Sequence, residues 1–219
     1  MTKIITISRE FGSGGRELGT RIAKQLGFAY YDKEIISQIA QKSGLAEEYV
    51  DSVLERKNTQ FFNFSYAHSF AYVNPLVELQ SKIYGAQQDI IREIAQKSDC
   101  VLVGRCADYI LKDLNPLTLF VYADIDSKIK RCREKAQNDE QEYTDKQLKA
   151  KILSIDKGRA KYYGAYTGEE WSEKKNYRLC INTSGINISD IVPSLCKFAE
   201  VWFAEKVEQN PATEKDADK

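Results

Sequence analysis

The chain has 219 residues, which is enough to bury a sizeable core within a single domain. Its 32 basic residues balance its 32 acidic residues, so the formal net charge is zero. A balanced charge gives no indication of binding to nucleic acid or to an anionic membrane. Any attraction for phosphate must therefore come from a local cluster of positive charge.

The cysteines and the apolar runs indicate a reducing compartment. The five cysteines are odd in number and form no Cys-x-x-Cys pair, and Cys100 and Cys180 lie in apolar runs. Buried free thiols are therefore expected, rather than disulfides or a metal site. No apolar run reaches the length of a transmembrane helix, and the first is too short for a secretory signal. We expect a cytoplasmic protein that binds neither membrane nor nucleic acid.

The first 27 residues predict a strand, a glycine-rich loop and a helix. Residues 4–7 form a short β-branched run, typical of a strand buried on both faces of a parallel sheet. Apolar residues in 17–26 recur every four positions, and Gly27 occupies the place of a helix C-cap. The loop between them reads Gly12-Ser13-Gly14-Gly15-Arg16. Free N–H groups and the positive end of the helix dipole converge there, which favours a bound phosphate over a tight turn without ligand.

The loop departs from the common phosphate-loop pattern Gly-x-x-x-x-Gly-Lys-[Ser/Thr]. If Gly14 is the second glycine, Gly15 occupies the lysine position and Arg16 comes one residue late. If Gly15 and Arg16 replace the glycine–lysine pair, Glu10 stands where the first glycine belongs. The stretch alone leaves both alignments open.

Apolar runs alternate with helical periodicity along the rest of the chain. Further strands are predicted at residues 28–32, 100–103, 117–123 and 177–182. Helices are predicted at residues 35–43, 45–57, 76–97 and 126–136. This alternation predicts an α/β fold with a parallel sheet and helices on both of its faces. Ligands of such sheets bind at the carboxyl ends of the strands, where the pattern puts residues 12–16, Asp32, Gly104 and Arg105.

Two other segments have an unusual composition. Residues 58–75 contain six aromatic residues together with His68, the only histidine. This segment is either a core-facing wrap or a mobile cover over substrate, and packing is favoured for its phenylalanines. His68 has no nearby cysteine, second histidine or acidic partner, so it is not expected to be catalytic. The last residues, about 209–219, lack apolar content and predict a disordered tail.

Residues 143–171 predict a lid. Thr144 and Gln147 fit a capping box that opens a helix, and a cationic, tyrosine-rich stretch follows. Asp156 and Arg159 share a face of this helix at i, i+3 spacing. They form either a solvated ion pair worth about a few tenths of a kcal/mol, or a pair in which Arg159 reaches over a phosphate while Asp156 holds a hydroxyl or a base edge. The spacing alone leaves both open.

In their order and spacing these motifs resemble the cytidylate-kinase-like proteins, a branch of the P-loop nucleoside monophosphate kinases. The resemblance covers most of residues 3–195 and is weakest in the aromatic segment. The matching stretches are residues 7–17 (ISREFGSGGRE), 30–34 (YYDKE), 103–108 (VGRCAD), 181–185 (INTSG) and the Asp156-x-x-Arg159 pair.

The resemblance implies a three-layer P-loop kinase fold with a parallel sheet of about five strands, in one domain spanning residues 1–208. A helical acceptor-binding region would lie at about 33–97, and a closing lid at about 143–171. In cytidylate kinases the glycine-rich loop holds the donor phosphates, and the arginine that matches Arg105 sits at the acceptor monophosphate. The residues that match Asp156 and Arg159 lie in the acceptor site and lid.

The predicted site comprises three sets of residues. The donor nucleotide is assigned to Gly12, Ser13, Gly14, Gly15, Arg16 and Glu17. The acceptor is assigned to Asp32, Arg105, Asp156 and Arg159. Arg16, Arg131 and Arg159 are assigned to stabilise the negative charge of the transferring phosphoryl group. Arginine suits this role because it is always charged and can bind phosphate through two N–H groups. No direct metal ligand is assigned, and Glu10, Glu17 or Asp32 would hold Mg²⁺ through water.

One departure from the family affects the expected activity. Aligned without gaps, the phosphate lysine of ordinary cytidylate kinases falls on Gly15, and Glu17 stands where they have threonine. We expect a kinase that uses ATP and Mg²⁺ and phosphorylates a pyrimidine nucleoside monophosphate, CMP first. The alternatives are a regulatory protein that binds nucleotide without turnover, which the missing lysine favours, and a kinase for another small acceptor.

Overall fold

The computed structural model describes residues 2–47, 50–51, 75–135 and 143–209. Three predictions therefore lie largely outside the described residues. They concern the helix at 45–57, the aromatic segment with His68, and the tail after residue 209.

Five parallel strands form one sheet, in the order β2-β3-β1-β4-β5. The strands are β1 Ile4–Arg9, β2 Ala29–Tyr31, β3 Cys100–Val103, β4 Leu117–Tyr122 and β5 Leu179–Asn182. All residues of β1 and β3 are buried, because helices cover both faces of the sheet there. The predicted α/β fold with a five-stranded parallel sheet is confirmed.

The helices follow the end signals that the sequence carries. They are α1 Gly15–Leu26, α2 Glu34–Ser43, α3 Pro75–Lys97, α4 Ala107–Ile110, α5 Ile125–Lys135, α6 Asp145–Thr167 and α7 Ile188–Gln209. Gly27 and Gly44 end α1 and α2 with left-handed φ angles of 71° and 72°. The capping box of Thr144 and Gln147 opens α6 as predicted.

Two apolar clusters give the molecule its three layers. One lies where α1 and α7 pack on the sheet, through Leu18 and Phe203 among others. The other joins α2, α3 and α6 to the opposite face, through Ile39, Ile91 and Tyr163 among others. The helices cover the faces of the sheet and leave the carboxyl ends of the strands to the loops.

The expectation of buried cysteines is confirmed for three of the five. Cys100, Cys106 and Cys196 are buried free thiols, Cys132 is half-buried, and Cys180 is exposed. The reason is that β5 is an edge strand whose residues alternate between half-buried and exposed positions. None of the described helices is long and apolar enough to cross a membrane.

Candidate functional site

The glycine-rich loop, residues 10–14, joins the central strand to the first helix. Gly12 and Gly14 have φ angles of 77° and 84°, which glycine adopts without the steric cost of a Cβ atom. Gly14 is also the N-cap residue of α1. The first N–H groups of a helix have no partner within it, so those of α1 open at this loop.

A cavity of about 640 Å³ opens beside the loop. Among the described residues, eight basic and three acidic side chains line it, so the cavity is cationic although the whole chain is neutral. The basic ones are Arg9, Arg16, Lys33, Arg105, Arg131, Lys135, Lys151 and Arg159. The acidic ones are Glu10, Glu47 and Asp51. The volume suits a nucleotide-sized ligand.

Arg9 is the last residue of β1, and it is buried to 8% exposure. Its Nη2 lies 3.6 Å from Oδ1 of Asp32, whose other oxygen pairs with Nε of Arg16. Burial, and after it the guanidinium of Arg159, lowers the pKa of Arg9 to about 9, so Arg9 is still a cation at neutral pH. One buried carboxylate therefore serves two guanidinium groups.

A sharp turn after β3 brings Arg105 to the cavity. Gly104, Arg105 and Cys106 have φ angles of 78°, 59° and 53°. Left-handed backbone costs roughly 1–2 kcal/mol for a residue with a side chain, and it persists where the surroundings hold it. The buried Gln87 does so, since its Nε2 donates to the Arg105 carbonyl at 2.9 Å. Its Oε1 accepts from the Tyr162 hydroxyl at 3.0 Å, so the turn is supported by α3 and α6.

The Arg105 side chain retains an unused hydrogen-bond donor. It is nearly fully buried, and its Nη2 lies 3.4 Å from Oδ1 of Asp51. Its Nε has no hydrogen-bond partner among the described residues. A buried guanidinium with an unsatisfied N–H group is suited to an anion.

Lys128 is a third buried cation, on α5 beneath the glycine-rich loop. Its Nζ lies 2.6 Å from Oε2 of Glu10 and 3.1 Å from Oδ2 of Asp156. The other oxygen of Asp156 accepts the Phe11 N–H at 2.7 Å. Burial raises the pKa of Asp156, and the hydrogen bonds from Phe11 and Lys128 oppose that shift. Asp156 thus ties α6 to the loop and to α5.

Arg159 makes a second connection between α6 and the loop. Its Nη1 donates to the Arg9 carbonyl at 3.0 Å, and its guanidinium lies 5.8 Å from the centre of the Phe11 ring. The side chains of Asp156 and Arg159 are only 14% and 12% exposed, with 4.0 Å between their charged atoms. The interpretation as a solvated ion pair is therefore wrong.

Arg131 is bound to the backbone that follows β5. Its Nη2 donates to the carbonyls of Thr183 and Ile186, the latter at 3.1 Å, and its Nη1 donates to Oγ1 of Thr183 at 3.3 Å. Thr183 in turn donates to the Ser13 carbonyl at 2.7 Å. Two of the five N–H groups of Arg131 therefore donate to backbone carbonyls and a third to the Thr183 hydroxyl, while the side chain also lines the cavity.

The cavity wall contains some of the predicted site residues and not others. Those in the wall are Gly12, Gly14, Gly15, Arg16, Arg105, Arg131 and Arg159. Ser13 is fully buried beneath the loop, and Glu17 instead pairs with Nε of Arg21 at 3.0 Å on the same helix. Asp32 and Asp156 stand behind the wall as counter-ions, Asp32 of Arg9 and Arg16, and Asp156 of Arg159.

Three buried residues of the site were missed by sequence reasoning: Arg9, Gln87 and Lys128. Each is a polar residue where the pattern requires an apolar one. Arg9 ends a buried strand, Gln87 lies on the apolar face of α3, and Lys128 shares a face of α5 with Cys132. Since a polar group is rarely buried without a partner or a role, this break in the pattern is the signal that could have found them.

Sheet order, glycine-rich loop and cationic cavity define a P-loop kinase fold. A crystal structure of shikimate kinase from Bacteroides thetaiotaomicron has this fold, with a TM-score of 0.53 and 16% identity over 90% of this chain and 98% of that chain. The chain belongs to the cytidylate kinase-like family, whose sequence profile matches residues 4–185. The resemblance inferred from the motifs is therefore confirmed.

Two further comparisons complete this placement. The crystal structure of an uncharacterized protein from Eubacterium ventriosum has a TM-score of 0.64 and 25% identity, covering 91% of this chain and 99% of that chain. A search of curated proteins finds no match to the sequence.

Proposed function

We propose that the protein transfers the γ-phosphoryl group of ATP to a nucleoside monophosphate, with CMP as the first acceptor to test. The proposal is supported by the family, the fold and the charge of the cavity. The choice of CMP rests on the family alone.

The observation that carries the proposal is a cluster of five arginines from five separate segments. They come from β1, α1, the turn after β3, α5 and α6, and they are Arg9, Arg16, Arg105, Arg131 and Arg159. Phosphoryl transfer requires little covalent chemistry from the protein, but it requires positive charge around the transferring oxygens. A chain without net charge that gathers five of its ten arginines in one cavity is suited to this task.

We assign the two ends of the cavity to the two substrates. The loop and the N-terminus of α1 would hold the donor phosphates through backbone N–H groups. Arg105, Lys33 and Ser37 line the other part of the cavity, within or facing the predicted acceptor region of residues 33–97. The buried Nε of Arg105 would donate to the acceptor monophosphate.

The residues beside the loop fit a Mg²⁺ ion held mainly by phosphates and water. Among the described residues no three metal-ligating side chains gather, and Mg²⁺ commonly takes only one or two carboxylates besides phosphate oxygens and waters. Glu10 is the carboxylate in the loop that lines the cavity, and Lys128 and the Ala123 N–H fix it. We assign Glu10 to a water-mediated contact with the ion, which would neutralise charge on the donor phosphates.

The chain's own residues would position the reactants and exclude water. The bond from the γ-phosphorus to ADP breaks as a bond to an acceptor phosphate oxygen forms, and no side chain is modified. Arg159, held on α6 above the loop, would stabilise the charge on the transferring group. Residues 143–171 would close the cavity, because water competes with the acceptor for the phosphoryl group.

A coupled assay of ADP release tests this function. The wild type is supplied with ATP and Mg²⁺ and a panel of CMP, dCMP, UMP, AMP and GMP, with shikimate as a non-nucleotide acceptor. Release that depends on a monophosphate and on Mg²⁺ is the expected result. Arg92→Ala is the control, because Arg92 pairs with Asp113 on the surface and lies outside the cavity lining. Release with shikimate and with no monophosphate would contradict the proposed acceptor class.

A second candidate function is nucleotide binding without turnover. The observation that favours it is Gly15, which stands where ordinary P-loops have lysine. In that case calorimetry would detect ATP binding to the wild type, while no acceptor in the panel would release ADP above the background of ATP alone.

A further inference from the structure

The side chain of Arg9 explains why residue 15 is glycine. A Cβ atom at Gly15 would lie 2.5 Å from Cβ of Arg9, which is closer than real Cβ contacts, and 3.0 Å from its Cγ, which is tighter than most of them. Gly15 does not have the left-handed φ angle that would itself require glycine. Position 15 lacks a side chain because the stem of Arg9 fills that space. An ordinary P-loop lysine and Arg9 therefore exclude each other.

A second glycine, Gly104, leaves room for the guanidinium group of Arg9. A Cβ atom at Gly104 would overlap Nη1 of Arg9, so the guanidinium lies against the turn that follows β3. It is thereby placed between the glycine-rich loop and Arg105. These are the parts of the cavity assigned above to the donor and to the acceptor.

Among the described residues, the positive charge around Arg9 exceeds the negative charge that its one ion-pair partner, Asp32, supplies. Arg16, Arg105 and Arg159 all lie close enough to disfavour its positive charge, and the carboxylate of Asp32 is shared with Arg16. Buried cations are costly unless an anion compensates them. Since the Nε of Arg105 also has no partner among the described residues, this part of the cavity is suited to an anion.

We propose that Arg9 is the catalytic cation of the phosphoryl transfer and takes over the task of the P-loop lysine. The inference rests on the proposed function. Arg9 keeps its proton throughout and donates N–H groups to the oxygens of the γ-phosphoryl group as the bond to ADP breaks and the bond to the acceptor oxygen forms. Gly15 and Gly104 are the two positions that make room for it.

Arg9→Met removes the charge and keeps most of the volume, so it separates catalysis from packing. We expect kcat to fall about 100- to 1,000-fold, the loss typical of one preorganised donor, with a change of less than about tenfold in the Kd for ATP. Affinity for ADP with aluminium fluoride, which mimics the transferring group, should fall much more than affinity for ADP alone. Arg16→Ala should cost less in kcat, because Arg16 is half exposed. Circular dichroism and thermal unfolding establish that each variant is folded.

A rescue experiment tests the exchange between positions 9 and 15 directly. Gly15→Lys alone should be inactive, because the new side chain collides with Arg9. Arg9→Gly alone should also lose activity. The double variant R9G/G15K restores an ordinary loop and should exceed the kcat of R9G by about tenfold or more.

The outcomes separate this inference from the function on which it rests. Wild-type turnover that survives in a folded Arg9→Met variant would overturn the role of Arg9 and leave the kinase function standing. A double variant no better than R9G would likewise contradict the exchange. A wild type without turnover on any acceptor would overturn the proposed function, and the role of Arg9 with it.

Discussion

Gly14 is the residue whose replacement most directly tests the loop. Its φ of 84° requires glycine, and a Cβ atom there would lie 2.6 Å from Cδ1 of the buried Ile188. Gly27 provides a matched comparison at the other end of the same helix. It also has a left-handed φ, of 71°, but open space surrounds the position that a Cβ atom would take.

Gly14→Ala should therefore lower the free energy of unfolding more than Gly27→Ala does, and only Gly14→Ala should affect nucleotide binding. The backbone strain common to both should lower the free energy of unfolding by roughly 1–2 kcal/mol. Urea unfolding measures that cost, and calorimetry with ATP measures binding. Gly14→Ala is expected to weaken ATP binding at least about tenfold, which corresponds to 1.4 kcal/mol. Equal effects of the two variants on ATP binding would contradict phosphate binding by the loop.

Asp108 is a buried carboxyl group whose titration should make stability depend on pH. Burial raises its pKa to about 6, although the Tyr163 hydroxyl donates to it at 2.8 Å. The folded state therefore binds the proton more tightly than the unfolded state. This group's contribution to stability is fully present below pH 4 and is lost as the pH rises through about 6.

Asp108→Asn should remove the loss of stability that ionisation of Asp108 causes as the pH rises. The variant should therefore be more stable than the wild type at pH 8 but not at pH 4. A pKa raised to about 6 sets an upper limit of about 3 kcal/mol for this gain. Urea unfolding at both pH values is the measurement. Asp113→Asn is the control with the opposite sign, because the hydrogen bond from Arg92 lowers the pKa of the exposed Asp113. A wild type and Asp108→Asn with parallel pH profiles would show that Asp108 does not titrate in this range.

Sequence reasoning identifies site residues in loops better than the buried site residues on strands and helices that hold the loops in place. The loop glycines, Arg16 and Arg105, which line the cavity, were singled out because glycines and arginines follow apolar runs. Arg9 and Gln87 were not, because the direction of a side chain at the end of a strand or on a long helix depends on packing between distant segments. Periodicity carries no information about such packing.

At the scale of elements, helix α6 combines two functions. Its N-terminal half carries Asp156 and lines the cavity with Lys151 and Ile152. Its C-terminal half belongs to the core, where Tyr162 and Tyr163 are buried. A lid over the whole of residues 143–171 would have to break that packing, so we expect the movement to be confined to the first half.

Amide exchange should distinguish the halves of α6. Peptides covering residues 143–155 should exchange quickly in the free protein and slow down markedly when ATP and CMP bind. Peptides covering residues 160–167 should be protected in both states, because their side chains are already packed. Slowing in neither half on ligand binding would contradict a lid.

Arg159→Ala tests the contribution of the same helix to chemistry. The variant should lose about 2–4 kcal/mol of transition-state stabilisation, the typical cost of removing one preorganised donor. Comparison of kcat/KM with the wild type gives this value. Lys157→Ala is the control on the same helix, because Lys157 is exposed and lies outside the cavity lining. Equal losses of kcat/KM in the two variants would indicate a general effect of positive charge on this helix, and would contradict a specific role of Arg159.

The elements themselves could be predicted closely, because their ends carry local signals. The glycines after α1 and α2 and the capping box of α6 set those boundaries within a few residues. Strand order is different, since no local pattern states that β3 lies between β2 and β1. A parallel sheet of about five strands is therefore predicted from the sequence, but the order of its strands is not.

At the scale of the whole molecule, charge is separated while the total remains zero. The cavity gathers eight basic and three acidic residues in its described lining, and the remainder of the chain carries the compensating acidic charge. The affinity for an anion should therefore depend on the charges of the cavity itself. Exposed charges farther than about 10 Å away are screened at 0.1 M ionic strength and contribute little.

The final prediction compares ATP with adenosine as the salt concentration rises. Between about 50 and 500 mM NaCl, the affinity for ATP should fall at least about tenfold, because salt weakens the attraction between its phosphates and the arginines. Adenosine has no phosphates, so its weaker binding should change by less than about twofold. Thermal unfolding gives an independent measurement, since ATP at 100 times its Kd should stabilise the folded state by about 2.7 kcal/mol at either salt concentration. Identical salt dependence for the two ligands would mean that the cationic cavity does not hold the phosphates.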